Sequence, residues 1–394
     1  MLIWVGFALA ILLLLLIARR NLALGMGIAA AVLALFTLSV QQVVDVIAGT
    51  LSDPSVLLLA LVVGMIPMIG GSLEISGKMD ALVENMRIGR KPFLVLGPAI
   101  LGMLPMPGGA LLSAPLVERG APETPADIKA AANVWFRHAL LLVYPLDTSL
   151  IASAKIASMD VYYLIPFLFP AFIVALFTGY VLLLRGAGGT ISHQSAFCAA
   201  GLLVPLGIIL AAPAIDLLTK TLFELPYSEI GTAIGVAVSL VLAITIGRLG
   251  GGDVKGVLFK MRPWRFSLII LAMFLFLNVF TASGAPEVIA SFSLHPVVLC
   301  VVIGFGLGLI TGRIQAPASI IIPIFVTTHG AMSGAAFAVT YFAIYLGYII
   351  TPIHPCISVS VEYFATSMTA FLRKMAYPVA IAAVIDLVVS LFVL

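Results

Sequence analysis

Leu104-Pro105-Met106-Pro107-Gly108-Gly109-Ala110-Leu111-Leu112-Ser113-Ala114-Pro115, followed by Tyr144-Pro145-Leu146-Asp147-Thr148-Ser149, is a Pro/Gly-broken apolar segment leading into an apolar helix that is interrupted at a proline. The arrangement recurs as Thr311-Gly312-Arg313-Ile314-Gln315-Ala316-Pro317-Ala318-Ser319, running to Pro323, then Thr351-Pro352-Ile353-His354-Pro355-Cys356. Pro115 to Pro323 is an offset of 208 residues, and Pro145 to Pro352 an offset of 207. Backbone broken at membrane depth is tolerated only where protein or a wet cavity surrounds it. A matched pair of breaks, one per half, points to the binding site of a secondary transporter.

Composition places these breaks in a bilayer. The chain is 62% hydrophobic and 9% charged, with a mean hydropathy of +1.22, whereas a soluble domain carries roughly 25% charged residues. Most of its 394 residues fall in apolar runs of about 17–25, the length that spans the hydrocarbon core. Cys198, Cys300 and Cys356 sit in apolar surroundings without metal-ligand spacing, so no disulfide framework is expected. The run from Met1 to Ile17 lacks a basic leader and is followed by Arg19-Arg20, so it reads as the first transmembrane helix rather than a signal peptide.

Spans are expected near 2–18, 21–39 and 54–72, then a hairpin at 92–117, a broken span at 130–158 and a span at 161–184. A flexible joint at 185–195 separates this first repeat (1–184) from a second (196–394). The second repeat holds spans at 196–213, 229–247 and 266–284, a hairpin at 296–326, a broken span at 335–367 and a last span at 376–394. Hairpin arms of roughly 10–15 residues are too short to cross, so both hairpins are re-entrant. With the N-terminus outside, Arg19, Arg20, Lys78, Arg87, Arg90, Lys91, Arg119, Lys129, Arg185, Arg248, Lys255, Lys260, Arg262, Arg265, Arg373 and Lys374 all lie on the inner side, and only Lys220 outside. The positive-inside rule therefore puts both termini outside the cytoplasmic membrane. The basic stretch 248–265 reads as a loop that sets orientation and touches anionic headgroups. The expected fold is an all-α polytopic membrane protein of ten spans plus two re-entrant hairpins and two broken helices, forming an inverted-topology repeat.

Asp147 lies two residues beyond the first proline break in an apolar span, where a carboxylate is costly and marks a functional candidate. With Thr148 and Ser149 it offers hard oxygen ligands, a candidate sodium site or proton carrier; the other reading is an N-cap of the outer half-helix. His354 occupies the matching position in the second half and is either a proton carrier or a hydrogen-bonded structural residue. The same offset pairs Ser149 with Cys356, Ser153 with Ser360 and Lys155 with Glu362. The last two are a charged site kept in opposite sign, or side chains reaching for the interface. Arg313 at the second hairpin tip, with Gln315 and Ser319 after it, suits a carboxylate or phosphate; the alternatives are an ion pair with Asp147 or Glu362, or snorkelling. Gly108 and Gly109 open a short helix in the first hairpin, near Pro107 and Ser113, and leave amides facing an anion, although tight turns need glycine anyway. Arg137-His138, beside Trp135 and Phe136, reads first as an interfacial anchor and second as cavity lining. Asp386 reads as a scaffold residue hydrogen-bonded to a neighbouring helix.

The Leu104–Pro115 segment resembles the signature of a prokaryotic integral-membrane family catalogued as domain of unknown function 401. That family is grouped with the ion transporter superfamily of gluconate-permease-like, dicarboxylate/sodium symporter-like and sodium/proton antiporter-like proteins. The resemblance implies a scaffold of outer helices, a transport domain of two hairpins and two broken helices, elevator-type movement and a homodimer through the scaffold. By position it places Pro107–Gly109, Arg313–Ala318, Asp147–Ser149 and His354–Ile357 at the site. Sodium symporters of the superfamily carry Ser-Asn-Thr at each hairpin tip. Here the tips read Met-Pro-Gly-Gly and Gln-Ala-Pro-Ala, which favours proton coupling through Asp147.

These residues lead to a secondary active transporter for a small anionic solute, an organic acid, coupled to protons or sodium, with no other cofactor and no nucleic-acid partner. Asp147 is the expected coupling residue and Arg313 the partner of the substrate anion. The alternative is a cation/proton antiporter with Asp147 as the shared ion and proton site. An enzyme is not expected, because no aspartate pair, Ser/His arrangement or His-Glu-x-x-His spacing of a membrane protease occurs. A channel would need polar stripes, and the spans show only isolated polar residues.

Overall fold

The computed structural model describes residues 2–18, 20–106, 109–185, 187, 196–292 and 294–394. Arg19, Pro107, Gly108 and most of the 185–195 joint lie outside the described residues. The first half runs α1 (Leu2–Ala18), α2 (Leu22–Thr37), α3 (Val40–Ser52), α4 (Pro54–Ile75), α5 (Lys78–Glu84), α6 (Arg90–Gly102), α7 (Gly109–Gly120), α8 (Ala126–Ala139), α9 (Thr148–Ile156) and α10 (Val161–Leu183). The second repeats that order as α11 (Ala199–Leu222), α12 (Glu229–Ile246), α13 (Gly251–Met261), α14 (Pro263–Ala282), α15 (Ala285–Ala290), α16 (Gly304–Thr311), α17 (Gln315–His329), α18 (Gly334–Ile350), α19 (Pro355–Tyr363) and α20 (Met368–Val393). A π-helical turn, Val298–Ile303, leads into α16.

Packing repeats with the sequence order. Helix α14 lies on α2 as α12 lies on α4, α8 packs on α6 as α18 packs on α16, and α19 meets α7 as α9 meets α17. Helices α1–α4 and α11–α14 form one bundle; α6–α10 and α16–α20 form another, joined to the first partly through α14 and α17. Five crossings per half, counting each broken helix once, leave an odd number and so turn the second half over relative to the first.

Among the described residues seven helices are long and apolar enough to cross a bilayer, including α4, α10, α11, α12, α14 and α20. Ile3–Ala18 and Leu22–Thr37 are shorter apolar helices. Phe167, Phe169, Phe177, Leu203, Val384 and Phe392 face outward. An apolar exterior of this extent is what lipid solvates and water does not, and the molecule is a multi-pass membrane protein.

Several boundaries depart from the sequence expectation. Helix α11 runs through Pro213 to Leu222, and α20 begins at Met368, ten residues before Pro378. A proline inside a membrane helix is tolerated where neighbouring helices support the backbone; here α10 meets this stretch of α11, the Tyr162 hydroxyl donating to the Pro213 carbonyl at 2.9 Å. The basic stretch 248–265 is not a loop. Its glycines look like breakers, yet Asp253 accepts the Gly250 amide at 2.9 Å and caps α13, whose Val257 and Met261 are buried while Lys255 and Lys260 are exposed. Helix α3, its counterpart, is started by a capping box between Ser39 and Gln42.

Candidate functional site

Both helix breaks lie in the second bundle, and their sequences produce different ends. Helix α8 stops at Ala139, a 3₁₀ turn covers Leu140–Leu142, and Pro145 brings no amide to continue it. Asp147 then restarts the chain. Its Oδ1 accepts the amides of Ser149 at 3.0 Å and Leu150 at 2.8 Å, and the Tyr341 hydroxyl of α18 donates to it at 3.4 Å. Asp147 is the N-cap of α9. His354 stands at the same point of α19, ahead of Pro355, and its side chain makes no capping bond. Released from capping, the imidazole faces α8.

There it meets His138. The two rings lie 4.7 Å apart between centroids, Tyr348 stacks on His354 at 4.3 Å, and His138 meets Tyr348 edge-on at 5.5 Å. His138 Nδ1 is 2.6 Å from the Val134 carbonyl and donates to it. His354 Nδ1 has no partner, and its ring lies close enough to the Tyr348 backbone to interact with it. His138, His354 and Cys356 bring one donor atom each to within 4.8 Å of one another. Such spacing would suit a soft metal ion, but the charge around it does not. Arg137 lies close enough to the Cys356 sulfur to interact with it, and Arg313 comes from the second hairpin close enough to interact with Tyr348, His354 and Cys356.

Arg137 is thus no interfacial anchor. It is 5% exposed, with Nη1 3.5 Å from Ser113 Oγ of the first hairpin. Among the described residues neither Arg137 nor Arg313 has a carboxylate within 4.0 Å, so the anticipated pairs of Arg313 with Asp147 or Glu362 do not form. A guanidinium has five N–H donors, and Ser113 and Cys356 use only a small part of that capacity. Two cations near one group of side chains, Arg137 buried and Arg313 half-buried, with no carboxylate paired to either among the described residues, are expensive unless an anion joins them. The halves are asymmetric here: Pro105 stands where a second hairpin arginine would be, and α8 supplies Arg137 instead.

The hairpin tips shape this space. Gly312, at φ +60°, ends α16 in the left-handed conformation that glycine adopts without strain, and turns the chain into α17. Gln315 follows and donates from Nε2 to Ser149 Oγ at 3.0 Å, tying the second tip to the first break. In the first hairpin Gly109 lies directly beneath the guanidinium, where an added methyl would overlap Arg137 Nη2. Gly109→Ala should therefore displace Arg137 without unfolding the protein, leaving stability within about 1 kcal/mol of the parent, as thermal unfolding would register. Thr148 is buried beside Asp147, while Ser319 is buried with its hydroxyl on the Ala316 carbonyl of its own helix, away from the cluster. Pro107 and Gly108 lie outside the described residues.

Lys155 and Glu362 do not form a symmetric site. Lys155 reaches the other bundle, where Nζ is 2.8 Å from Glu229 of α12 and bonds Ser55 of α4. Glu362 is exposed and forms no ion pair among the described residues. Asp386 is buried and its Oδ2 has no hydrogen-bond partner, while Cys300 lies close enough to interact with it. Sequence reasoning also missed Tyr341 and Tyr348, although with Tyr345 they are spaced four and three residues apart, one face of α18. It missed Asn133, whose Nδ2 donates to Ser360 Oγ at 2.9 Å and joins α8 to α19. A lone Asn in an apolar helix gives no comparable signal.

The fold has a solved relative. The crystal structure of the YdaH transporter from Alcanivorax borkumensis, reported to have an unusual topology, superposes with a TM-score of 0.59 at 19% sequence identity, covering 89% of this chain and 87% of that one. No curated protein matches the sequence. The model of the family described as "Protein of unknown function (DUF401)" matches residues 3–393, nearly the whole length. The chain belongs to the DUF401 family.

Proposed function

We propose that this protein is a secondary active transporter for a small anionic solute, an organic acid, bound between Arg137 and Arg313. The observation that carries the reading is the convergence of two carboxylate-free guanidiniums on the break of the second half. Planar forks of donors match carboxylate geometry. In this reading the bundle of α1–α4 and α11–α14 is a scaffold that pairs two copies, and the bundle carrying hairpins and breaks moves against it as an elevator. The positive-inside rule orients the termini outside the cytoplasmic membrane. Thermal unfolding of the purified protein against formate, acetate, succinate and phosphate tests the assignment. A saturable rise in melting temperature with a carboxylate supports it, and a response confined to cations would overturn it.

Asp147, buried and facing Tyr341, is the observation that keeps a cation/proton antiporter as the second reading. Asn is as good an N-cap as Asp. Asp147→Asn should therefore leave stability within about 0.5 kcal/mol of the parent and preserve anion binding. Were Asp147 the shared ion site, the same variant would lose sodium-dependent proton release.

A further inference from the structure

The imidazole pair next to the arginines has a consequence beyond anion binding. His138 has Nδ1 committed to the Val134 carbonyl, and the His354 ring lies close enough to the Tyr348 backbone to interact with it. A neutral imidazole keeps one nitrogen lone pair, and in His354 the Nδ1 atom is buried and unpartnered. One ring nitrogen of each histidine and the Cys356 sulfur lie within 4.8 Å of one another.

The charged and titratable groups facing the rings are Arg137 on α8, Tyr348 on α18, Cys356 on α19 and Arg313 from the second hairpin. Asp147 reaches this group through Tyr348, while its own Oδ1 is held by two amides. A proton on either ring of the ligand-free site would join two guanidiniums with no compensating carboxylate. The same proton beside an anion held by those guanidiniums would join a cluster whose charge is already reduced. Coulomb energies at a few ångströms in a protein interior are several kcal/mol, so the difference decides occupancy.

We infer that His138 and His354 share one proton that enters together with the substrate anion, which makes the carrier a proton/anion symporter without a carboxylate in the proton path. The inference rests on the anion-binding reading above and names its coupling ion. The proton passes from solvent to an imidazole lone pair as the anion binds and returns to solvent when the anion leaves. Two imidazolium ions this close oppose each other as any like pair does, which limits the uptake to one. Coupling of binding energies is reciprocal, so the anion recruits the proton as strongly as the proton recruits the anion. An imidazole is suited to the task because its ordinary titration lies near neutral pH.

Isothermal titration of the detergent-purified full chain with formate, acetate, succinate and phosphate, in two buffers of different ionisation enthalpy, counts the protons. The expected result is uptake of about one proton per anion, with affinity falling about tenfold per pH unit above neutrality. The double variant His138→Gln/His354→Gln should bind the anion with no net proton uptake and a flat pH profile, while Asp147→Asn keeps both. Binding without proton uptake in the parent overturns the symport inference and leaves the anion site standing. Proton uptake that survives in the double histidine variant, or that vanishes in Asp147→Asn, also overturns it. No binding of any of the four anions overturns both readings. A double variant that does not fold is replaced by each single variant, where uptake undiminished in both contradicts the shared proton.

Discussion

Arg137→Gln is expected to raise the melting temperature of the ligand-free protein and to abolish its response to anions. Arg137 is buried on α8 with Ser113 and Cys356 as its polar partners and no carboxylate within 4.0 Å. Removing a desolvated charge that lacks a counter-ion relieves its burial cost, on the order of 1–3 kcal/mol once the lost hydrogen bonds are subtracted. The same change deletes half of the fork that would hold the substrate. A buried charged contact is worth about 2–5 kcal/mol when truncated, which corresponds to an affinity loss of roughly 30- to 5,000-fold. Stability and binding thus move in opposite directions, which ordinary damage to a core does not produce. A scaffold arginine would give the reverse: lower stability and an intact anion response. Differential scanning fluorimetry with and without a binding carboxylate separates the two.

Lys155→Ala is expected to destabilise the protein sharply, and Lys155→Ala/Glu229→Ala to recover most of the loss. Lys155 sits near the end of α9 and pairs at 2.8 Å with Glu229 at the start of α12, so the ion pair crosses between the two bundles. The Glu229 side chain is 7% exposed and its Oε2 already lacks a hydrogen bond. Taking away the lysine leaves that carboxylate buried and unpaired. The cost is about 2–4 kcal/mol, somewhat below that of a fully buried pair because Lys155 keeps 34% of its side chain in solvent. Removing both partners restores balance, and the double-mutant cycle isolates the coupling. In the elevator reading this pair must also break during each cycle, so the double variant should exchange between its inward and outward forms faster than the parent. A cycle energy near zero would show the pair to be incidental.

The sequence disclosed the architecture where polarity and proline disagree with a membrane helix. Pro145 and Pro352, about 207 residues apart, located both breaks, and lone polar residues within apolar spans marked most of the site. Asp147 was visible for the same reason. Its Oδ1 caps α9, a role that can coexist with ion binding by the same carboxylate. Arg137 stands about one-third of the way into the first broken span, beside Trp135 and Phe136, which in sequence alone reads as an interfacial position. What decides its position is the first hairpin, which packs α6 and α7 against α8 and puts Gly109 under the guanidinium. The convergence of Arg137 with Arg313 joins residues 176 apart in the chain, and no local pattern encodes such a meeting. Helices α3 and α13 were missed because each is short, polar on one face and punctuated by residues that usually end helices. Their caps, Ser39 with Gln42 and Asp253 on Gly250, were readable in principle.

An anion held between Arg137 and Arg313 would be visible in crystals of the full chain grown with a bromine-labelled carboxylate and measured at the bromine absorption edge. The expected result is an anomalous peak between the two guanidiniums, against His354 and Cys356, that disappears in Arg137→Gln. A peak elsewhere in the bundle, or one between the arginines that persists in that variant, would refute the anion site.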